Sequence, residues 1–220
     1  MTSLRSRLDR ATTPARLLDH PFYKAWSAGT LTRSDLGHYA TQYWRQVEAF
    51  PGYLERVAER LPEGDAKRSV LANLADERDD DHPGLWLDFA AALGLDKEQV
   101  TGAAVETETA NCIEAFAAAM SDTSPAFALG MLYGYESQTP AVAETKVTGL
   151  RDHYGIAGPG VTYFELHGEL DVAHSAEMAA AIEEIADDPN ASADAEAGAA
   201  AGARAIWGLL DGVVRARAIC

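Results

Sequence analysis

Apolar residues recur along most of this chain at steps of three and four, the period of one helix face. From Ser34-Asp35 the run Leu36, Tyr39, Tyr43, Val47 and Phe50 predicts a helix. Pro51 should kink it rather than stop it, because the pattern resumes at Leu54 and continues through Val57 to Leu61. Val70, Leu71 and Leu74 predict a second helix over 63–77. A third follows His82-Pro83, carries Leu85, Trp86 and Phe89, and ends at Gly94. An Ala-rich helix is expected over 106–121. A long one begins at Ser124-Pro125, where proline suits a first turn, meets Pro140 and runs on to Tyr154. Residues 155–160 read as a break, 161–187 as the next helix, 187–192 as a linker and 194–217 as a last helix. No segment alternates with period two for long. The expectation is an all-α chain, a bundle of about seven to nine helices forming one domain over residues 1–220.

Composition narrows the partners. The 220 residues carry 34 acidic and 18 basic side chains, a net charge of −16. A nucleic-acid binder needs a basic footprint and an anionic membrane repels such a chain, so neither partner is expected. An apolar fraction of 47% is too high for an acidic disordered chain. The two cysteines, Cys112 and Cys220, lack metal or disulfide spacing. The start from Met1 has no apolar run, and no stretch reaches the roughly 18 apolar residues of a membrane span. A cytoplasmic setting is expected.

One segment carries chemistry on its own. In His167-Gly-Glu-Leu-Asp171-Val-Ala-His174 the three named residues fall at i, i+4 and i+7, within about 60° on one helix face. Imidazole, carboxylate and imidazole on one stripe suit a metal, and Asp-x-x-His follows the i, i+3 logic of di-iron bundles. The plain alternative is a solvated face, since Glu165, Glu169 and Glu177 flank it. A dinuclear site needs carboxylates from other helices. Glu136 is one candidate, because a carboxylate among Leu132, Tyr133 and Tyr135 is costly unless paired. A hydrogen bond to a nearby Tyr or Gln would serve equally. Glu77 and His82 are further candidates. Their spacing of five puts them about 140° apart on an ideal helix, so they meet only across a bulge or a helix end. Asp79 is a rival to Glu77, and the Glu-Arg-Asp-Asp-Asp run also reads as a solvated turn. His20, His38 and His153 read as structural.

The motifs taken in order are similar to one family. His20-Pro-Phe-Tyr23-Lys-Ala-Trp26 with Gly29-x-Leu31, Ala49-Phe-Pro51-x-Tyr53-Leu54, Asn73-Leu-x-Asp-Glu77, Leu85-Trp86, Leu132-Tyr-x-Tyr-Glu136-Ser-Gln-x-Pro140 and the His167 stripe span residues 20–185. This ordered set resembles the haem oxygenase-like (TenA/PqqC-like) di-metal oxidases. Within them it resembles the self-sacrificing p-aminobenzoate synthases of the chlamydial death-domain-associating type. The resemblance implies six metal ligands, Glu77, His82, Glu136, His167, Asp171 and His174, although the interval from Glu77 to His82 is shorter here than in the family. It implies two iron ions, or one manganese and one iron, with O2 and an electron donor as co-substrates. It also implies that Tyr23 is consumed as substrate and Lys146 gives the amine, in a reaction that supplies a folate precursor. Tyr43 matches a family aromatic, though Trp44 follows where the family has Tyr.

Three functions are therefore open. One is self-sacrificing p-aminobenzoate formation. Another is di-metal oxidation of an external amino acid, fatty acid or natural-product intermediate. The third is a non-enzymatic interaction module. A homodimer is compatible with each of these readings. For Lys146 the plain alternative is a surface lysine paired with Glu144 or Asp152. A haem oxygenase proper would not need the His–Asp–His stripe, and a thiaminase-like enzyme would want a nucleophilic cysteine, for which Cys112 is badly placed.

Overall fold

The computed structural model describes residues 2–219, so Met1 and Cys220 lie outside the described residues. Among the described residues there are eleven α-helices, two short 3-10 turns and no strand. The helices are α1 (Leu4–Thr12), α2 (Pro21–Ser27), α3 (Arg33–Arg60), α4 (Asp65–Asp79), α5 (His82–Ala92), α6 (Lys97–Thr101), α7 (Thr107–Asp122), α8 (Pro125–Glu136), α9 (Thr139–Tyr154), α10 (Pro159–Ile185) and α11 (Pro189–Arg217). The count exceeds the seven to nine expected because α1 and α6 are short and one long helix is two. Among the described residues no helix is long and apolar enough to cross a membrane.

The α3 helix starts earlier than Ser34. Thr32 caps it, accepting from the Asp35 N–H while Asp35 accepts from the Thr32 N–H, a reciprocal box that satisfies two end donors. The helix runs on through Pro51. The expected single helix from 124 to 154 breaks at Ser137–Gln138. Pro140 has no N–H to return to the Glu136 carbonyl, and it sits in the first turn of α9, where none is needed. The expected linker over 187–192 is mostly helix as well. Asp188 caps α11 by accepting from the Asn190 and Ala191 N–H groups, and Pro189 opens the first turn. The break after Tyr154 is as expected, with Gly155 and Gly158 at φ +64° and +60°.

The α8 and α11 helices meet backbone to backbone. A Cβ on Gly130 or Gly134 would lie 2.1 Å from the carbonyl oxygens of Ala195 or Ala199. One on Gly198 or Gly202 would lie 2.1 Å from those of Phe127 or Met131. Glycines four apart on both helices thus form a reciprocal seam that fixes α8, and with it Glu136, at the next turn. Gly134→Ala must push backbone aside and should lower stability by about 1–3 kcal/mol in thermal unfolding. Gly208→Ala on the same α11 meets nothing within 4 Å. It should stabilise by up to about 1 kcal/mol through helix propensity.

Candidate metal centre

Six buried side chains from four helices converge between α4, α5, α8 and α10 as two sets of three. One set is Glu77, His82 and His167, and the other is Glu136, Asp171 and His174. Within each set one ligand atom per residue lies within 4.8 Å of the other two. All six residues singled out from the sequence are brought together. Asp79 is exposed and takes no part.

Glu77 and His82 meet by a helix end, not by a bulge. The α4 helix stops at Asp79, Asp81 turns the chain in the left-handed region at φ +48°, and His82 opens α5. Asp81 also caps α5 by accepting from the Gly84 N–H. His82 Nδ1 thereby comes 2.7 Å from Glu77 Oε2. It is not aligned for a hydrogen bond, and both His82 ring nitrogens lack a hydrogen-bond partner although the ring is buried.

On α10, His167 Nδ1 donates to the Tyr163 carbonyl at 2.7 Å. A carbonyl can only accept, so Nδ1 carries the proton and the Nε2 lone pair is left facing Glu77 Oε1, 3.9 Å away. Burial, then the neighbouring His82, pushes the His167 pKa down to about 3, which keeps the ring neutral as a ligand must be. His174 differs. Burial opposes its charge, but hydrogen bonds to Asp171 Oδ1 (3.3 Å) and Asp76 Oδ2 (3.1 Å) outweigh burial and raise its pKa to about 9. Glu136 accepts from Asn73 Nδ2 at 2.7 Å, rather than from a Tyr or Gln, while its Oε2 has no partner. Burial raises the pKa of both Glu136 and Asp171.

Three carboxylates and three imidazoles with orphaned buried atoms are expensive in a dry interior unless a cation joins them. The donor set suits two divalent transition metals, with imidazole and carboxylate on each. Glu77, Glu136, His167 and Asp171 all face one enclosed space of about 10 Å³, near the room needed for one water.

A second enclosed space adjoins it and shares Tyr135, Tyr163 and His167 with the first. Tyr23, Tyr43 and Lys146 line it. Lys146 is buried, not a surface lysine paired with Glu144 or Asp152. Its Nζ donates to the Tyr39 hydroxyl at 2.7 Å and lies 4.8 Å from the Phe164 ring centre, 5.1 Å from Tyr43 and 5.5 Å from Tyr23. Burial lowers its pKa to about 7. Tyr23 is buried with its phenol pKa raised by burial. The Tyr43 hydroxyl donates to that of Tyr135 at 3.1 Å, and the Tyr163 ring stacks on His167 at 4.0 Å.

Tyr39, Tyr135 and Tyr163 were not singled out from the sequence, where they read as core positions. Asp76 was hidden in the acidic run. Tyr163 stands one turn before His167, the one signal that pointed to it. The remaining histidines lie outside the two sets of three and bond elsewhere in the fold. His20 caps α2 by accepting from the Phe22 N–H, His38 meets Glu106 at 3.0 Å, and His153 donates to the Ser27 carbonyl. Cys112 is buried, and burial pushes its thiol pKa up to about 12.

The family model of the iron-containing redox enzymes matches residues 37–207. The chain is 36% identical to the 4-aminobenzoate synthase of Nitrosomonas europaea, covering 96% of this chain and 91% of that protein. It is 34% identical to the 4-aminobenzoate synthase of Chlamydia pneumoniae, covering 80% of each. Among solved structures, a Shewanella denitrificans domain of unknown function with a haem oxygenase-like fold superposes with a TM-score of 0.86. That likeness covers 99% of this chain and 94% of the other, at 17% identity.

Proposed function

From the premise that the chain belongs to the haem oxygenase-like iron-containing redox enzymes, we propose that it is a self-sacrificing 4-aminobenzoate synthase with a dinuclear metal centre. Glu77, His82 and His167 would hold one ion and Glu136, Asp171 and His174 the other, as two irons or one manganese and one iron. When bound, the pair supplies oxidising power from O2 with electrons from a reductant. The chain's own residues supply the rest. Tyr23 gives the aromatic ring, and Lys146 gives the nitrogen.

The observation that carries this reading is the position of the Lys146 amine. It sits in an aromatic cage 5.5 Å from the Tyr23 ring, in a space that shares three residues with the ligand cavity. With a pKa of about 7, a large share of Lys146 is neutral at neutral pH, and only the neutral amine is a nucleophile. Tyr39 receives one Nζ–H and anchors the amine in the cage. Trp86 closes the cage by donating its indole N–H to the Ala40 carbonyl at 3.0 Å, and its ring faces Tyr43 at 5.2 Å. Lys146 is only 4% exposed, so the amine is largely shielded from bulk water, which favours attack on an activated ring.

The test is direct. Protein loaded with iron and manganese, given O2 and a reductant but no aromatic substrate, should release about one 4-aminobenzoate per chain and then stop. Product that forms only on addition of a small molecule, through many cycles, would instead identify an oxidase of an external substrate. Protein that retains neither iron nor manganese after reconstitution would point to the interaction module.

A further inference from the structure

An open cavity of about 320 Å³ lies on the surface against the Tyr23–Lys146 cage. Its walls are residues of α1 and of the turns after it, Asp9, Thr12, Thr13, Arg16 and Leu18, and residues around the start of α9, including Gln138, Ala141 and Val142. This cavity and the inner space share a wall. Leu17 and Thr139 face inward while their neighbours Leu18 and Gln138 face outward, and Val142 lines both spaces. One side-chain hydrogen bond crosses this partition, from the Leu17 N–H to Gln138 Oε1 at 2.8 Å. Both of its ends lie outside regular α-helix, Leu17 in a 3-10 turn and Gln138 at the break between α8 and α9. Elsewhere the inner space is walled by packed helices.

The charges single out one ligand class. Arg16 is exposed on the cavity wall and forms no ion pair with any described residue, in a chain of net charge −16. The other charged group of the wall, Asp9, already accepts from the Tyr133 hydroxyl and leaves an oxygen for a further donor. The larger groove between α9 and α10 is lined by Glu144, Glu165 and Glu169, and its one cation, Arg151, is already bonded to Glu165. An acid is repelled there.

Resting on the functional reading above, we propose that the outer cavity binds a single-ring aromatic amino acid with a free carboxylate, the product on its way out. Arg16 holds the carboxylate, and the Leu17–Gln138 bond is the latch that parts to let it through. The volume lies at the lower end of small-molecule sites, and a guanidinium–carboxylate contact supplies orientation as well as affinity.

Full-length protein kept without reductant, so that nothing turns over, is titrated calorimetrically with 4-aminobenzoate and with 4-aminobenzamide, which lacks the carboxylate. The wild type should bind one acid per chain and the amide about tenfold more weakly or worse. Arg16→Gln should weaken acid binding by about tenfold or more and no longer tell acid from amide, while Arg16→Lys recovers part of the difference. Ala141→Trp, which fills the cavity from α9, should remove binding of both. Equal affinity for acid and amide in the wild type, an unchanged Arg16→Gln protein, or no saturable binding overturns the proposal. The titration needs no turnover, so its outcome is separate from that of the synthase reading. Product formed without acid-selective binding sinks only the cavity, and acid-selective binding without product sinks only the synthase.

Discussion

A Lys146→Met protein is expected to be more stable than the wild type at pH 7 and to make no 4-aminobenzoate. The lysine has a reference pKa of 10.5 and a folded value of about 7, a difference of about 3.5 units. At about 1.4 kcal/mol per unit, burying the charge costs on the order of 4–5 kcal/mol below pH 7. Between pH 7 and 10.5 the unfolded chain holds the proton and the folded one does not, so wild-type stability climbs with pH and the penalty is gone above 10.5. Methionine fills a similar volume without the charge, and loses the bond to Tyr39, worth about 1 kcal/mol. The net gain at pH 7 should be on the order of 2–4 kcal/mol. Denaturant unfolding of both proteins from pH 6 to pH 10 checks it: the gap should narrow steadily above pH 7. A gap of opposite sign would mean that the amine is not held at a cost. Such a cost is reasonable at a site that needs a neutral amine, where function and stability pull apart.

The second large effect is expected at Tyr23. Tyr23→Phe removes one hydroxyl from a buried ring and leaves every proposed ligand in place. It should fold, bind the same two metal ions per chain, and release no 4-aminobenzoate. Tyr43→Phe removes a hydroxyl that bonds Tyr135, so it should slow product formation without abolishing it. Metal analysis alongside product chromatography separates the cases. Normal product from Tyr23→Phe would remove Tyr23 as the source of the ring.

How far the sequence could be read follows from where each group sits. His167, Asp171 and His174 share one uninterrupted helix, so their spacing alone places them on one face. Glu77 and His82 could not be joined by spacing, because their meeting depends on Asp81 taking a left-handed turn that asparagine or glycine more often supplies. Lys146 was obscured for a related reason. On one continuous helix it falls about 80° off the face of Glu136. The break at Ser137–Gln138 resets the register, and α9 aims it inward beside Tyr39. The α8–α11 seam was present as glycines four apart at 130, 134, 198 and 202. Spacing on one helix does not say which backbone it will meet, and that contact is tertiary. Tyr39, Tyr135 and Tyr163 are indistinguishable from core aromatics until the lysine they surround is located.

These relations converge on the claim that the chain spends its own Tyr23 beside a dinuclear centre. The most direct test is protein produced with ring-13C tyrosine, loaded with iron and manganese, and supplied with O2, a reductant and no aromatic compound. The account predicts 4-aminobenzoate with a fully labelled ring, at no more than about one per chain, and a polypeptide whose mass change maps to the peptide containing Tyr23. Unlabelled product, or labelled product with Tyr23 intact, would contradict it.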